Sequence, residues 1–469
     1  MKPLTIRQVR QAVGGKALSP IAADAPLVEA VCTDTRRMDR GSLFIALRGD
    51  NHNAHAFLPQ AAAGGAVAAL VEQPPAQSLP NVTVIQVPDT RAAMGKLASF
   101  CRRQMRAKVI AVAGSNGKTS TKHLIDAALC GKLRGSISPK SFNNDIGVPL
   151  TIFPADPGQD YLVLEMGTNH HGELRILSDM ATPDIAVITN CGADHLEYLG
   201  DLMGVRRENA SIISGLNPKG LLVVNGDDPE LLSAVKDYPG KRITFGFKET
   251  NDLFASDIRC DETGTRFSLN NSRREVFVPM LGRHSACNAL AAIAVARKMA
   301  VPEDLAIQTL AVARGPEMRL QWQPAGDVRV LNDAYNANPN SMRAAIETAA
   351  LLPKTGRRIA ILGDMKELGP SGDRYHREVG QCVAETKAFD LLICVGTQAS
   401  LIADGAVAGG FSNDGVVRFA DAISACEAVP RMLHAGDLVL LKASRSSRLE
   451  QVAKAISQHE QPNMRMVAS

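Results

Sequence analysis

Lys108-Val109-Ile110-Ala111-Val112-Ala113 runs directly into Gly114-Ser115-Asn116-Gly117-Lys118-Thr119, and a helix-like stretch from Thr119 to Cys130 follows. The apolar run predicts a buried strand and the glycines predict a tight loop. Strand, loop and helix in that order make a frame for phosphate, because glycines let backbone N–H groups turn toward an anion and the helix N-terminus adds a favourable field. Lys118 can then reach terminal phosphates, and Thr119 can ligate magnesium. The spacing departs from the common P-loop, which needs a glycine five positions before Gly117, where Val112 stands. A plain strand-to-helix turn can also carry Gly, Lys and Thr; the order of elements favours phosphate.

A phosphate site of this kind needs an acid near the metal, usually at the end of a neighbouring strand. Glu165, closing the apolar run Tyr161-Leu162-Val163-Leu164, fits that need, although a lone carboxylate at a strand end is more often simply solvated. Asp194-His195 lies just past the run Ile185 to Thr189, at the edge of the sheet where ligands collect. Leu221 to Asn225 adds another strand, and helical pattern between these runs argues for a mostly parallel sheet covered on both faces. From about residue 315 a second alternating series begins. Val328 to Leu331, Ile359 to Gly363, Leu391 to Val395 and Val439 to Lys442 read as strands, and Ser341 to Leu352 as the clearest helix. Asn338-Pro339 would cap that helix. Before residue 85, Ser42 to Leu47 and Ala66 to Val71 are short apolar runs, punctuated later by Pro74-Pro75 and Pro80. The expected fold is therefore α/β in three domains: a small N-terminal α/β domain (1–85), a central P-loop-type domain with a mostly parallel sheet (86–314) and a C-terminal Rossmann-like domain (315–469).

Composition narrows the function. The chain has 469 residues, 45% hydrophobic and 21% charged, as expected of an ordinary globular protein of several domains. Aromatics at 4% and a net charge of +4 provide neither stacking platforms nor a phosphate-neutralising surplus, so nucleic acid is not an expected partner. No stretch approaches the roughly 18 apolar residues of a membrane span, and Met1-Lys2-Pro3-Leu4-Thr5-Ile6 lacks a signal-like apolar core. Nine scattered cysteines without a C-x-x-C pair suggest reduced thiols, a cytoplasmic location and no zinc site.

Several longer words carry a resemblance. Gly114 to Lys122, Ser141-Phe-Asn-Asn-Asp-Ile-Gly-Val-Pro-Leu150, Glu165-Met-Gly-Thr-Asn-His-His-Gly-Glu173 and Asp194-His-Leu-Glu197 resemble, in order, the central domain of the Mur ligases. Gly282-Arg-His-Ser-Ala-Cys-Asn288 resembles a further element of that domain. Asn332 to Met342, Leu362 to Gly369 and Lys442-Ala-Ser-Arg445 resemble the C-terminal domain, and Asp34-Thr35-Arg36 with Gly41 to Leu47 resembles the uridine-nucleotide domain. The two long C-terminal words are similar to the branch that adds D-alanyl-D-alanine to UDP-N-acetylmuramoyl-tripeptide.

The resemblance implies an ATP- and magnesium-dependent amide ligase acting through an acyl phosphate, with Lys118, Glu165 and His195 at its catalytic centre. It implies that Gly114, Ser115, Asn116, Gly117, Lys118, Thr119 and Ser120 bind ATP phosphates, that Asn288 contacts adenine, and that Arg319 and Asp333 reach the nucleotide. Thr119, Glu165 and His195 would hold magnesium. Asp34, Thr35, Arg36, Asn143 and Asn144 would bind the UDP-peptide, and the chain is expected to act as a monomer. Closure over a hinge near Gly315-Pro316 would shield the intermediate. A folylpolyglutamate-type or another Mur-type ligase is the nearer alternative, and a nucleotide-dependent binding switch the more distant one. One position departs from the family: many Mur ligases carry a lysine, modified by carbon dioxide, fourteen residues beyond the histidine matched by His195, and Asn209 stands there.

Overall fold

The computed structural model describes residues 1–49, 52–272 and 274–459. It contains three sheets of five, nine and six strands. In the first, Ala30–Cys32, Ser42–Ile45, Ala66–Val71 and Thr83–Gln86 are parallel, and Lys16–Ala17 closes one edge antiparallel.

The second sheet is organised around Lys108–Ala113, which pairs in parallel with Tyr161–Glu165 on one side and Ile185–Ile188 on the other. Its side chains alternate between two apolar layers, as a pleat with period two requires. Val109 and Ala111 pack with Leu162, Leu164 and Ala186 on one face, while Ile110 and Val112 pack with Val163 and Val187 on the other. All are fully buried, so no polar residue fits in these strands until their ends. Beyond Leu221–Asn225 and Lys241–Gly246 the sheet continues through Leu253–Asp261, Gly264–Leu269 and Glu275–Val278, an antiparallel meander absent from the sequence reading. Its first strand alternates between buried and exposed residues rather than forming an apolar run.

The third sheet is parallel except for Gln321–Ala325, an edge strand whose Pro324 removes one backbone donor. The helix expected from Ser341 begins at Pro339, with Asn338 forming a capping box with Ser341. Among the described residues no helix is long and apolar enough to cross a membrane.

The helix Thr90–Arg103 joins the first two sheets. Met94, Leu97 and Ala98 share one apolar cluster with Ile6, Leu43 and Ile85 of the first sheet's layer and with Val109 and Leu162 of the second. At its end, buried Arg102 donates to the carbonyls of Ala181 and Thr182 and pairs with Asp184 at 2.9 Å. Asp184 also takes Lys108 and the Val109 N–H. Arg102→Met is expected to lower the unfolding free energy by about 2 kcal/mol, because it strips two carbonyls of their donor and leaves Asp184 with only Lys108 and the Val109 N–H. Urea denaturation measures this; a loss below about 1 kcal/mol would reduce the pair to a surface-like contact.

Candidate active site

The loop after Lys108–Ala113 can take its shape only with glycine at its entry. Gly114 has φ +129°, and a Cβ there would lie 2.0 Å from Thr189 Oγ1. Neighbouring strand ends hold the turn: Asn116 N–H donates to Asn190 Oδ1, Asn190 Nδ2 donates to the Asn116 carbonyl, and Gly192 N–H donates to Ser115 Oγ. Lys118 opens the helix Lys118–Cys130 and folds its ammonium back onto the carbonyls of Gly114 and Ser115, at 2.6 and 3.2 Å. Burial pushes its pKa down, opposed by the nearby charges of Asp194 and Glu165. Asn288, on the helix Arg283–Lys298, faces Gly117, and its buried side-chain NH2 has no hydrogen-bond partner among the described residues.

Glu165 is 1% exposed and both its oxygens are engaged. Oε2 pairs with Lys122 at 3.0 Å and Oε1 accepts from Asn143 Nδ2 at 3.1 Å. Lys122 was not singled out in the sequence, although it stands four residues beyond Lys118 and so on the same helix face. Asn144 accepts at its Oδ1 from the N–H groups of Ile146 and Gly147, at the start of the short helix Gly147–Ile152.

The third domain closes the opposite wall. Arg319 donates to Thr119 Oγ1 at 3.2 Å and stacks over the Tyr335 ring. Asp333 accepts from the Leu320 N–H and from Lys442 at 2.6 Å. Asn338 Nδ2 donates to Asn116 Oδ1 at 2.9 Å, and Ala193 N–H donates to Asn340 Oδ1 at 2.9 Å. His195 presents Nδ1 to Glu367, and its Nε2 lies 3.4 Å from Asp194. Hydrogen bonding to His195 holds the Glu367 carboxyl below the usual range. Glu367 stands within the Leu362 to Gly369 stretch, where nothing local marks it as a partner for His195; His195 and Glu367 both have left-handed backbones, φ 53° and 62°.

These groups enclose one cleft of about 1490 Å³, lined by Ser115 to Lys118, Ser120, Asn143, Asn144, Glu165, His195, Asn288, Arg319 and Asp333 among others. Thr119 sits behind its wall, in contact with Arg319. Asp34, Thr35 and Arg36 do not line this cleft. They form a separate turn in the first domain, where Arg36 grips Asp34 with two nitrogens and holds its carboxyl down at about 2.

Known proteins match along this frame. Family models described as Mur ligase family catalytic domain, Mur ligase middle domain, and Mur ligase glutamate ligase domain match residues 27–102, 112–296 and 318–445. A Bacillus subtilis protein named UDP-N-acetylmuramoyl-tripeptide–D-alanyl-D-alanine ligase is 35% identical, over 96% of this chain and 97% of its own. The chain belongs to the Mur ligase family. A crystal structure of MurF from Acinetobacter baumannii superposes with a TM-score of 0.88 at 30% identity, over 98% of this chain and all of that one. A MurF ligase from Thermotoga maritima, solved in complex with ADP, superposes at 0.80 with 26% identity, over 92% and 97%. This Mur ligase is accordingly an ATP-dependent enzyme with the three-domain α/β fold.

Asn209 is buried on the helix Leu202–Ala210, and its amide donates to the Val205 carbonyl of the same helix at 2.9 Å. Its neighbour Glu208 is also buried and is occupied elsewhere, accepting from Thr168 Oγ1 and from the N–H groups of Gly172 and Leu174. An amide cannot form a carbamate, and Glu208 is committed to holding the 168–174 loop. Ligation in carbon-dioxide-depleted buffer is expected to proceed at the same rate with and without added bicarbonate; clear stimulation would mean that another lysine is modified.

Proposed function

We propose that this Mur ligase joins D-alanyl-D-alanine to UDP-N-acetylmuramoyl-tripeptide while splitting ATP to ADP and phosphate. The carrying observation is the single cleft in which the phosphate loop, the Glu165–Asn143 pair and the third domain's Arg319 face one another. Near full-length similarity to ligases bearing that name supports the choice of substrates. In this reading residues 1–85 hold the UDP-substrate through Asp34, Thr35 and Arg36, residues 86–314 hold ATP, and residues 315–469 bring in the dipeptide. One chain carries every wall of the cleft, which supports action as a monomer, and the substrates suit a cytoplasmic enzyme.

A carboxylate does not react with an amine at neutral pH, because the leaving group would be oxide. Transfer of the terminal phosphoryl group to the tripeptide carboxylate gives an acyl phosphate. The dipeptide amine then attacks the carbonyl, the C–N bond forms, the C–O bond breaks, and phosphate and a proton depart. Two anions must first meet. Lys118 exchanges its two loop carbonyls for phosphate oxygens, Asn288 offers its unpartnered NH2 to the nucleotide, and Arg319 and Asp333 approach from the third domain. Asn143 and Asn144 face the peptide.

Magnesium, bound with the nucleotide, would offset the repulsion between the two anions. Thr119 and Glu165 supply the oxygen donors such an ion prefers, and His195 is a third candidate. Among the described residues no three His, Cys, Asp or Glu side chains gather as a cage, so phosphates and water would complete the coordination.

Phosphate release is expected to require ATP, the UDP-tripeptide and D-alanyl-D-alanine together; release indifferent to the dipeptide would favour a nucleotide-dependent switch. Running the assay with diaminopimelate and with lysine at the third peptide position identifies the acceptor. Lys118→Ala is expected to lower turnover by at least about 100-fold while UDP-tripeptide affinity, measured by calorimetry, stays within about twofold. Loss of both in a folded variant would overturn the division of roles between domains.

A further inference from the structure

Lys122 is completely buried, and its ammonium has one acceptor for each of its three N–H bonds: Glu165 Oε2 at 3.0 Å, the Ser138 carbonyl at 2.9 Å and the Lys140 carbonyl. The two carbonyls stand at the root of the loop that carries Asn143 and Asn144. Lys140 itself is left-handed, φ 45°, a conformation a lysine adopts only when held. The loop returns to its starting point, because Asn143 Nδ2 donates to the other oxygen of Glu165 and the Gly167 N–H donates to the Asn143 carbonyl. A second tie runs from the Glu165 N–H to Ser138 Oγ at 3.0 Å. The result is a closed ring: Lys122, the 138–144 loop, Asn143, Glu165 and back to Lys122. One arc of the ring is the helix that begins at the phosphate loop, and the other carries Asn143 and Asn144 on the lining of the cleft.

We propose that Lys122 is a positioning residue that couples the two halves of the cleft, fixing the Glu165 carboxylate and the 138–144 loop as one unit so that filling either half raises affinity in the other. This rests on the substrate assignment above. A lysine serving only to fill the core would matter for stability, but its removal would leave the affinities of the two ligands independent of this ring. Coupling is reciprocal, so it can be read from either ligand.

The test is calorimetry on the full chain with ADP plus magnesium and with UDP-N-acetylmuramoyl-tripeptide, each titrated with and without the other. The wild-type chain is expected to bind each ligand at least about fivefold more tightly when the other is present. Lys122→Met is expected to reduce that factor to within about twofold of unity, and to raise the magnesium concentration needed for half-maximal ADP binding by about tenfold. Asn143→Ala cuts the ring on its loop side and leaves Lys122 on Glu165. Asn143 also faces the peptide, so the UDP-tripeptide affinity itself is expected to fall; the coupling is the ratio of affinities with and without ADP, which is expected within about twofold of unity, and this variant decides the question if Lys122→Met does not fold. Undiminished coupling in either folded variant, or none in the wild-type chain, overturns the proposal. Failure of the wild-type chain to bind the UDP-tripeptide at all would instead overturn the substrate assignment beneath it.

Discussion

The parallel pairing of three strands sets everything else in this molecule. Lys108–Ala113 is hydrogen-bonded to Tyr161–Glu165 and Ile185–Ile188 with Val112 level with both Glu165 and Val187, so the three chains leave the sheet at one edge. Because parallel strands buried on both faces admit only apolar side chains along their length, chemistry is displaced to their ends. The phosphate loop, the Glu165 carboxylate and the Asn190 to His195 segment are thus neighbours by register, although more than seventy residues separate the first from the last. Thr189 then leaves no room for a side chain at position 114, and the loop's course follows.

A site for two anions must store positive charge before they arrive. Lys118, Lys122, Arg319 and Lys442 all lie in or against the cleft, and each is differently restrained. Lys122 and Lys442 are paired with buried acids, Glu165 and Asp333, which repay part of the cost of removing a charge from water. Among the described residues Lys118 and Arg319 bond only to neutral oxygens, two loop carbonyls and the Thr119 hydroxyl. Neutral acceptors are given up more cheaply than carboxylates when a phosphate competes. The paired lysines are therefore framework, and the carbonyl-bound lysine and Arg319 are free to meet an incoming anion.

The same distinction explains what was legible in the sequence. Strands buried on both faces read as apolar runs, so Lys108–Ala113, Tyr161–Glu165 and most of the third sheet fall within a residue or two of expectation, and Glu165 stood out as an acid at a strand end. The meander after Leu253 did not register, because a half-exposed strand has no apolar run, nor did the edge strand interrupted by Pro324. Lys122 illustrates a deeper limit. A helix lysine is ordinarily solvated, and its burial here depends on carbonyls from residues 138 and 140, whose position no local pattern reports. Glu367 is similar: its partner His195 is 172 residues away and becomes a neighbour only when two domains meet.

How those domains meet bears on turnover. The seam between the second and third domains includes Asn338 on Asn116, Asn340 on the Ala193 N–H, Arg319 on Thr119, Glu367 on His195, and the Glu197 N–H on the Glu367 carbonyl. Hydrogen bonds of this kind are exchanged for bonds to water at little net cost, unlike buried apolar area. A seam rich in such bonds parts more readily than one sealed by apolar area alone. His195 and Glu367, each strained in a left-handed backbone, meet at the centre of the seam, and strain persists only where surrounding contacts over-determine it. Opening relieves neither backbone unless the flanking loops also relax. The seam is therefore expected to part as a unit, with the 194–197 and 364–369 segments separating together rather than one bond at a time.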